Sequence, residues 1–427
     1  MKAIILSLLL GALTHCASYT DEVKELRDDY ISGKYKNSLD KLEKSSLHDS
    51  STNRLLYHME KAMILDRMSD RKLARSTLVQ ADKIVDELYT TSVTKTAASF
   101  LINDSVADYE GEDFEKVAIH TELALSFLED KQVSEARVEA KAINNRLHQI
   151  TQNYDPKYLH YKEDAFARFM SALIYESLQN WDDAIIDYNQ ALGVYTSPEY
   201  AKFFDGAVPE VLVTSLYGLA KKRNRSQILS DLKKRFPNIL EKYDAQIRQI
   251  PEGGDVVIFH ETGHITTKKE KDFFLPIAGQ IIRFSFPVID KQSIDWMNTL
   301  TGLTVNGRYY AASNAVNLNA IAYQCLEDRR GRIIAKSMAR LVAKGVLTRE
   351  AQEHFGLLGG IVANIFSAAT ETADTRSWTL LPQAFYVNRV RLAPGKHTLE
   401  VKTASRVNDV KALTIQAGDL HLLRSKG

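Results

Sequence analysis

The chain has 427 residues, 44% hydrophobic and 26% charged, a composition that excludes a disordered polymer and is long enough for two or more domains with cores of their own. Lys and Arg total 55 against 54 Asp and Glu, for a net charge of +1. No overall field therefore draws the protein to nucleic acid or to an anionic membrane, and any electrostatic role is local.

The first sixteen residues read as an export segment. Lys2 is a short positive start, Ala3 to Leu13 is almost unbroken apolar, and Cys16 closes the run, which is too short to span a bilayer. It resembles a bacterial lipoprotein signal, in which cleavage before Cys16 leaves that residue to carry the acyl chains. His15 stands where Gly, Ala or Ser is usual in such signals. Ala17 follows where inner-membrane-retained lipoproteins often carry Asp, so the expected location is the periplasmic side of the outer membrane, lipid-anchored. Only Cys325 remains beside Cys16, so with Cys16 acylated no intrachain disulfide is available and the fold rests on its cores.

From Asp21 to about Ile250 the pattern is helical, with turns expected at Gly33-Lys34-Tyr35, Asp130-Lys131 and Gln179-Asn180-Trp181. One template recurs three times: a small residue, a large one three later, Ala twelve later, and a packing residue seven beyond. The copies are Ala62, Leu65, Ala74, Ala81; Ala124, Phe127, Ala136, Ile143; and Ala172, Tyr175, Ala184, Ala191, with Leu78, Ala140 and Tyr188 four after each central Ala. Small residues at these offsets let two antiparallel helices approach closely, which is the pattern of a tetratricopeptide repeat. Gly33, Tyr35, Ser38 and Leu42 look like half of a further unit, and Tyr217-Gly218-Leu219-Ala220 begins a terminal one. About five hairpins are expected, and arrays of this kind bind other proteins.

Pro251-Glu252-Gly253-Gly254 breaks the helical pattern. Strands are predicted over residues 255–259, 265–269, 281–288, 303–311, 385–392 and 397–402, with a turn at Ala393-Pro394-Gly395-Lys396. A helical insertion is expected at about 317–373, including the small-residue run Gly356 to Ala363, which reads as a close-packing helix face. The expected class is α+β, with a signal segment at 1–16, a tetratricopeptide-like superhelix at 17–250 and a β-rich domain at 251–427.

His260-Glu261-Thr262-Gly263-His264 matches the H-E-x-x-H zinc-protease pattern. That chemistry needs both His on one helical face with Glu poised as base. Here a β-branched run precedes the motif, Gly263 interrupts it and Ile265-Thr266-Thr267 continues as strand formers, so a strand edge is the expected reading and a zinc-dependent hydrolase using His260, Glu261 and His264 the alternative. Chain-wide there is no nucleophile elbow, P-loop or dinucleotide fingerprint, and no catalytic set, cofactor or metal is expected. Cys325, beside Ile321 and Leu326, reads as a small buried hydrophobe. The acidic residues read as solvated helix faces. Arg332, Lys336, Arg340 and Lys344 repeat every four residues after Arg329 and Arg330. This stripe is an ordinary solvated surface or a contact for anionic lipid, glycan or an acidic protein.

Taken together, Tyr109 to Val117, Phe169 to Ala191, Asp255 to Gly263, Asn319-Ala320-Ile321-Ala322 and Ala373-Asp374-Thr375-Arg376-Ser377-Trp378 resemble bacterial tetratricopeptide-repeat lipoproteins with a β-rich C-terminal region. A His at position 264 is not part of that family's pattern. The resemblance implies a periplasm-facing, envelope-associated protein without an established enzymatic activity, and some relatives look like lipoproteins that support peptidoglycan synthases. The expectation is a non-enzymatic scaffold with protein partners in the cell envelope, attached to the membrane by its lipid, with no nucleic-acid partner and an undetermined oligomeric state.

Overall fold

A computed structural model describes residues 19–92, 107–153, 161, 163–204, 206–277, 280–291, 301–340, 372–403 and 406–427. Five helical hairpins follow one another: α1 (Tyr19–Ile31) with α2 (Tyr35–Glu43), then, after the short α3 (Ser46–Asp49), α4 (Arg54–Arg67) with α5 (Arg71–Ser92), α6 (Asp113–Glu129) with α7 (Val133–Asn153), α8 (Ala165–Ser177) with α9 (Trp181–Tyr195), and α10 (Glu210–Lys222) with α11 (Ser226–Arg235). Helix α12 (Pro237–Gln249) closes the array.

All five hairpins turn in the same way. Gly33, Ser69, Lys131, Gln179 and Asn224 take the left-handed conformation, and the next residue's N–H reaches back five positions, from Lys34 to Asp29 O, Asp70 to Leu65 O, Gln132 to Phe127 O, Asn180 to Tyr175 O and Arg225 to Ala220 O, at 2.8–3.0 Å. This Schellman closure satisfies the carbonyls that the end of each first helix leaves open. Counting from it, Ala62, Ala74, Ala81, Ala124, Ala136, Ala172, Ala184, Tyr188 and Ala191 are all buried, while Tyr175 is half-buried against the same core. Ser38 takes the place of the central Ala in the first hairpin, buried with its hydroxyl donating to Leu26 O at 2.8 Å. The helical half thus has a tetratricopeptide-like fold.

The C-terminal half adds two layers. Strands β1 (Gly254–Thr262), β6 (Ser313–Asn317), β7 (Ala384–Leu392) and β10 (Leu420–Lys426) form an inner sheet in the order β10-β1-β7-β6, with β1 and β10 parallel. Strands β4 (Thr301–Val305), β5 (Arg308–Ala311), β8 (Gly395–Thr403) and β9 (Arg406–Ile415) form an outer antiparallel sheet, β5-β4-β8-β9. The two-residue period of β1 splits its side chains between two cores. Val257 and Phe259 join the helices in one core, where Phe166 stacks on Phe385 at 4.8 Å between ring centroids. Val256 and Ile258 join Leu303, Val390, Leu399 and Val401 in the other. The order of layers is therefore helices, inner sheet, outer sheet.

Among the described residues, two further strands, β2 (Lys269–Ile277) and β3 (Gln280–Val288), pair only with each other. Phe284 and Phe286 at their base pack on Ile333, Ile334 and Met338 of α13, a helix covering residues 318–340. The predicted strand at 265–269 starts instead at Lys269. The stretch 303–311, predicted as one strand, is a hairpin turning at Asn306-Gly307, both with positive φ, because this pair suits the type I′ geometry that matches sheet twist. Strands β6, β9 and β10 were not predicted. Cys16, Lys344 and the run Gly356 to Ala363 lie outside the described residues.

Candidate functional site: the inner face of the helical array

The first helix of each middle hairpin is wedged between neighbouring helices and the C-terminal half. Glu60 and Glu122 stand at the same offset, two before Ala62 and Ala124, and Asp66 and Glu176 share another, just after Leu65 and Tyr175. All four are buried, as are Glu112 and Glu115. The expectation that the acidic residues make solvated faces is corrected for this set, because the C-terminal half covers the side of the array on which they lie. A buried carboxylate requires donors, and the C-terminal half supplies them at three places.

The first is a turn segment that leads into β7. Trp378 N donates to Glu115 Oε1 at 2.7 Å, Thr379 N and Oγ1 both donate to Glu60 Oε1 at 2.7 Å, and Leu380 N donates to Glu60 Oε2 at 3.1 Å. Burial pushes the Glu60 carboxyl up to about 7, against the pull of these donors and of Tyr19, and burial also raises Glu115. The second oxygen of Glu115 accepts from Tyr109 OH at 2.6 Å and from Glu112 N at 2.9 Å, closing a capping box at the start of α6. Arg376 donates to Asn53 Oδ1 at 2.9 Å and to Ala107 O at 2.8 Å, pairs with Asp374, and lies over the Tyr109 ring. Lys268 Nζ ties Glu112 Oε1 at 2.5 Å to Arg376 O at 2.9 Å. Two array carboxylates thus read three consecutive main-chain amides of Trp378, Thr379 and Leu380, which the turn at 379–380 brings to one side.

The second place is the end of β10. Arg424 is 1% exposed at its side chain and reaches Glu261, Glu122 at 2.5 Å, Asp66 at 3.2 Å and Glu129 at 3.4 Å. Lys426 reaches Asp66 and Glu129, each at 2.9 Å, and Arg67 reaches Glu261 at 3.2 Å and Gly427 O at 3.2 Å. Three cations therefore meet four carboxylates. Burial, with Glu261 and Asp66 nearby, outweighs the Arg424 charge and raises the Glu122 carboxyl above the usual carboxylate range, which favours its neutral form beside the other three carboxylates. The third is Arg389 on β7, which donates to Glu176 at 3.0 and 3.2 Å, Ser215 Oγ at 2.8 Å and Asp255 at 2.8 Å. Tyr188 donates to the same Glu176 at 2.5 Å, linking a repeat-packing residue to the contact.

The residues of the zinc pattern go separate ways. His260 faces the outer sheet, its Nε2 3.0 Å from Asn388 Oδ1, and burial lowers it to about 4. Glu261 points to the helices, in the hands of Arg424 and Arg67. Gly263, with φ +58, turns the chain, and a Cβ there would meet Gln383 Oε1 at 2.7 Å. His264 then lies edge-on to Tyr30 at 5.6 Å, lowered to about 4 by burial and by Arg27 and Arg67. Among the described residues no group of three His, Cys, Asp or Glu could hold a metal. The basic stripe is not one surface: Arg332 is exposed, Lys336 half-buried, and Arg340 buried and donating to Ser337 Oγ at 2.8 Å. Cys325 is buried, which drives its thiol well above the usual range. A cleft of about 460 Å³ opens where Tyr243 of α12 faces Arg308, Tyr310, Arg389 and Arg391, but Asp255 and Glu176 already match the Arg389 and Arg391 charges.

No family model and no curated protein matches the chain. Among solved structures, two of the nearly identical TPR-like repeats of a Podosopora anserina kinesin light chain, one of them a point variant, are similar at 14% identity and a TM-score of 0.32. The variant covers 53% of this chain and 94% of its own, the other 52% and 94%. The TPR2AB domain of yeast Sti1 in its pHSP90 complex is similar at 11% identity and a TM-score of 0.21, over 52% of this chain and 95% of that one.

Proposed function

We propose that this chain is a non-enzymatic, lipid-anchored scaffold on the periplasmic side of the outer membrane. In this reading Cys16 carries the lipid, the array displays a surface to protein partners in the cell envelope, and the scaffold is linked to peptidoglycan synthase support. The observation that supports it is the chemistry of the array. Glu60 and Glu115 hold a turn segment by its amides, which is recognition rather than catalysis. Because the inner face already holds the chain's own C-terminal half, the partner surface is assigned to the second helices. These expose Leu73, Val79 and Tyr89 on α5, Val138 on α7 and Ile186 on α9, apolar side chains of a kind that a bound partner would cover.

Pull-down from crosslinked envelopes tests it, comparing the native chain with Val138→Asp and with Cys16→Ser. The expected result is a defined set of envelope proteins that Val138→Asp loses, and release of Cys16→Ser from the membrane fraction. Unchanged fractionation with an unmodified mature N-terminus would refute the anchor, and an identical capture profile for Val138→Asp would refute the outer surface.

A further inference from the structure

The hairpin β2–β3 stands apart from both sheets. Its charges gather at the base, where Arg283 pairs with Glu270 at 3.2 Å and with Asp272 at 3.0 Å, and Asp272 also holds Ser285. From Phe273, level with that ladder, to Ile282, the sequence carries no charged residue and a single polar one, Gln280. Phe274 is 65% exposed although Phe273 beside it stacks on Phe286 at 5.0 Å. An exposed Phe at the start of an uncharged run of this length is what water disfavours and a bilayer interface accepts.

The position of the hairpin says which apolar phase it meets. Thr20 Oγ1 donates to the carbonyl of Lys268, the residue just before β2, at 2.8 Å. Thr20 is four residues beyond Cys16, so a lipid on Cys16 lies within roughly 14 Å of the hairpin base at full extension. Between Arg329 and Arg340, α13 carries five basic residues and no acid, of which Arg329 pairs with Glu112, Arg330 pairs with Glu327 and Arg340 is buried. Arg332 there, with Lys269 and Lys271 at the hairpin base, is exposed.

We propose that the β2–β3 hairpin is a second membrane contact: its uncharged end enters the headgroup region of the bilayer that holds acylated Cys16, and the basic collar of Lys269, Lys271 and Arg332 meets anionic headgroups. This rests on the lipid-anchor reading above. Phe274 pairs with Arg283, so three residues of strand lie beyond the charged base and reach about 10 Å. That is enough to enter one leaflet and too little to cross. The outer edges of an isolated two-stranded hairpin have unpaired amides and carbonyls, which keeps it at the wet interface rather than in hydrocarbon. With the acyl chains it supplies a second attachment point and sets the orientation of the array on the membrane.

The test attaches a fluorophore at Phe274→Cys and, as control, at Val138→Cys; buried Cys325 stays unlabelled. The mature chain is held on phosphatidylethanolamine–phosphatidylglycerol vesicles through a hexahistidine tag in place of Cys16 and a nickel-chelating lipid. Insertion is thereby read independently of acylation, which the mass of the native N-terminus reports separately. The proposal expects brominated acyl chains to quench the dye at 274 and not at 138. It expects Phe274→Asp, at an exposed position, to keep the melting temperature and to weaken binding of the untagged, unacylated chain to the same vesicles about tenfold. A dye at 274 quenched by aqueous iodide and not by bromolipid overturns the proposal, as does a dye shielded from both, which would mean that protein covers the hairpin. An unmodified N-terminus together with bromolipid quenching would instead overturn the anchor and leave the hairpin contact standing.

Discussion

Replacing Arg424 with Met tests how the two halves are joined. The substitution keeps the unbranched apolar stem of the side chain but removes the cation at the centre of Asp66, Glu122, Glu129 and Glu261, leaving Lys426 and Arg67 to face three buried carboxylates and the half-buried Glu129. Breaking a buried ion pair from one side costs about 3–5 kcal/mol, because the remaining charge stays buried without its partner. Against a typical domain stability of about 5–15 kcal/mol, that is a large fraction. Urea denaturation followed by circular dichroism at pH 7.5 should show this loss, and the loss should shrink at pH 5, where carboxylates without the cation take up protons. Adding Glu122→Gln and Glu261→Gln should return most of the stability, since neutral groups of similar shape tolerate burial with Met. A loss below about 1 kcal/mol at pH 7.5, or a triple variant no better than the single one, would refute the buried cluster as the joint.

Other perturbations report on separate layers of the structure. Ala184→Leu should cost on the order of 1–3 kcal/mol in thermal or urea unfolding, because the buried helix approach has no room for added methylenes. Burial would depress His120, but its bonds to Asp82 at 3.2 Å and Glu139 at 2.9 Å overcome this and raise it to about 9, above an ordinary 6.5. Its contribution is thus complete below pH 6.5 and lost as pH rises through 9, and His120→Gln should flatten the alkaline fall in stability by on the order of 2–3 kcal/mol. His260 and His264, both lowered to about 4, act in the opposite sense, so stability should also fall as pH drops from 6.5 towards 4. Combined His260→Ala and His264→Ala should leave partner capture unchanged in the presence or absence of a zinc chelator, and loss of a peptidase activity in that variant would revive the hydrolase reading.

The repeat template was legible because Ala62, Ala124 and Ala172 mark places where backbones meet, and close approach leaves little choice of residue. The turns at Gly33, Lys131 and Gln179 were among those expected, whereas Ser69 and Asn224 hold theirs without Gly, so chain composition alone signals those two weakly. Asn306-Gly307 was a readable hairpin signal. Strand β10 was not, because Arg424 stands on the face that Val257 and Phe259 lead one to expect to be apolar, and the carboxylates that admit it are more than 160 residues away. The same distance hid the inner face. Glu60 and Glu122 have the look of a solvated surface until a second layer covers them, and only their shared offset in the template, together with the Asp374 to Trp378 stretch, hinted that the layer exists.

Amide hydrogen exchange at Trp378, Thr379 and Leu380, read by mass spectrometry of the native full-length chain, tests the central claim that the array holds its own C-terminal half on its inner face. These three amides precede β7, so strand pairing does not protect them, and their acceptors are Glu115 and Glu60. The account predicts exchange as slow as that of the buried helix α6, and selective acceleration in Glu60→Ala at residues 379 and 380. Rapid exchange at all three in the native chain, matching an exposed loop, would contradict it.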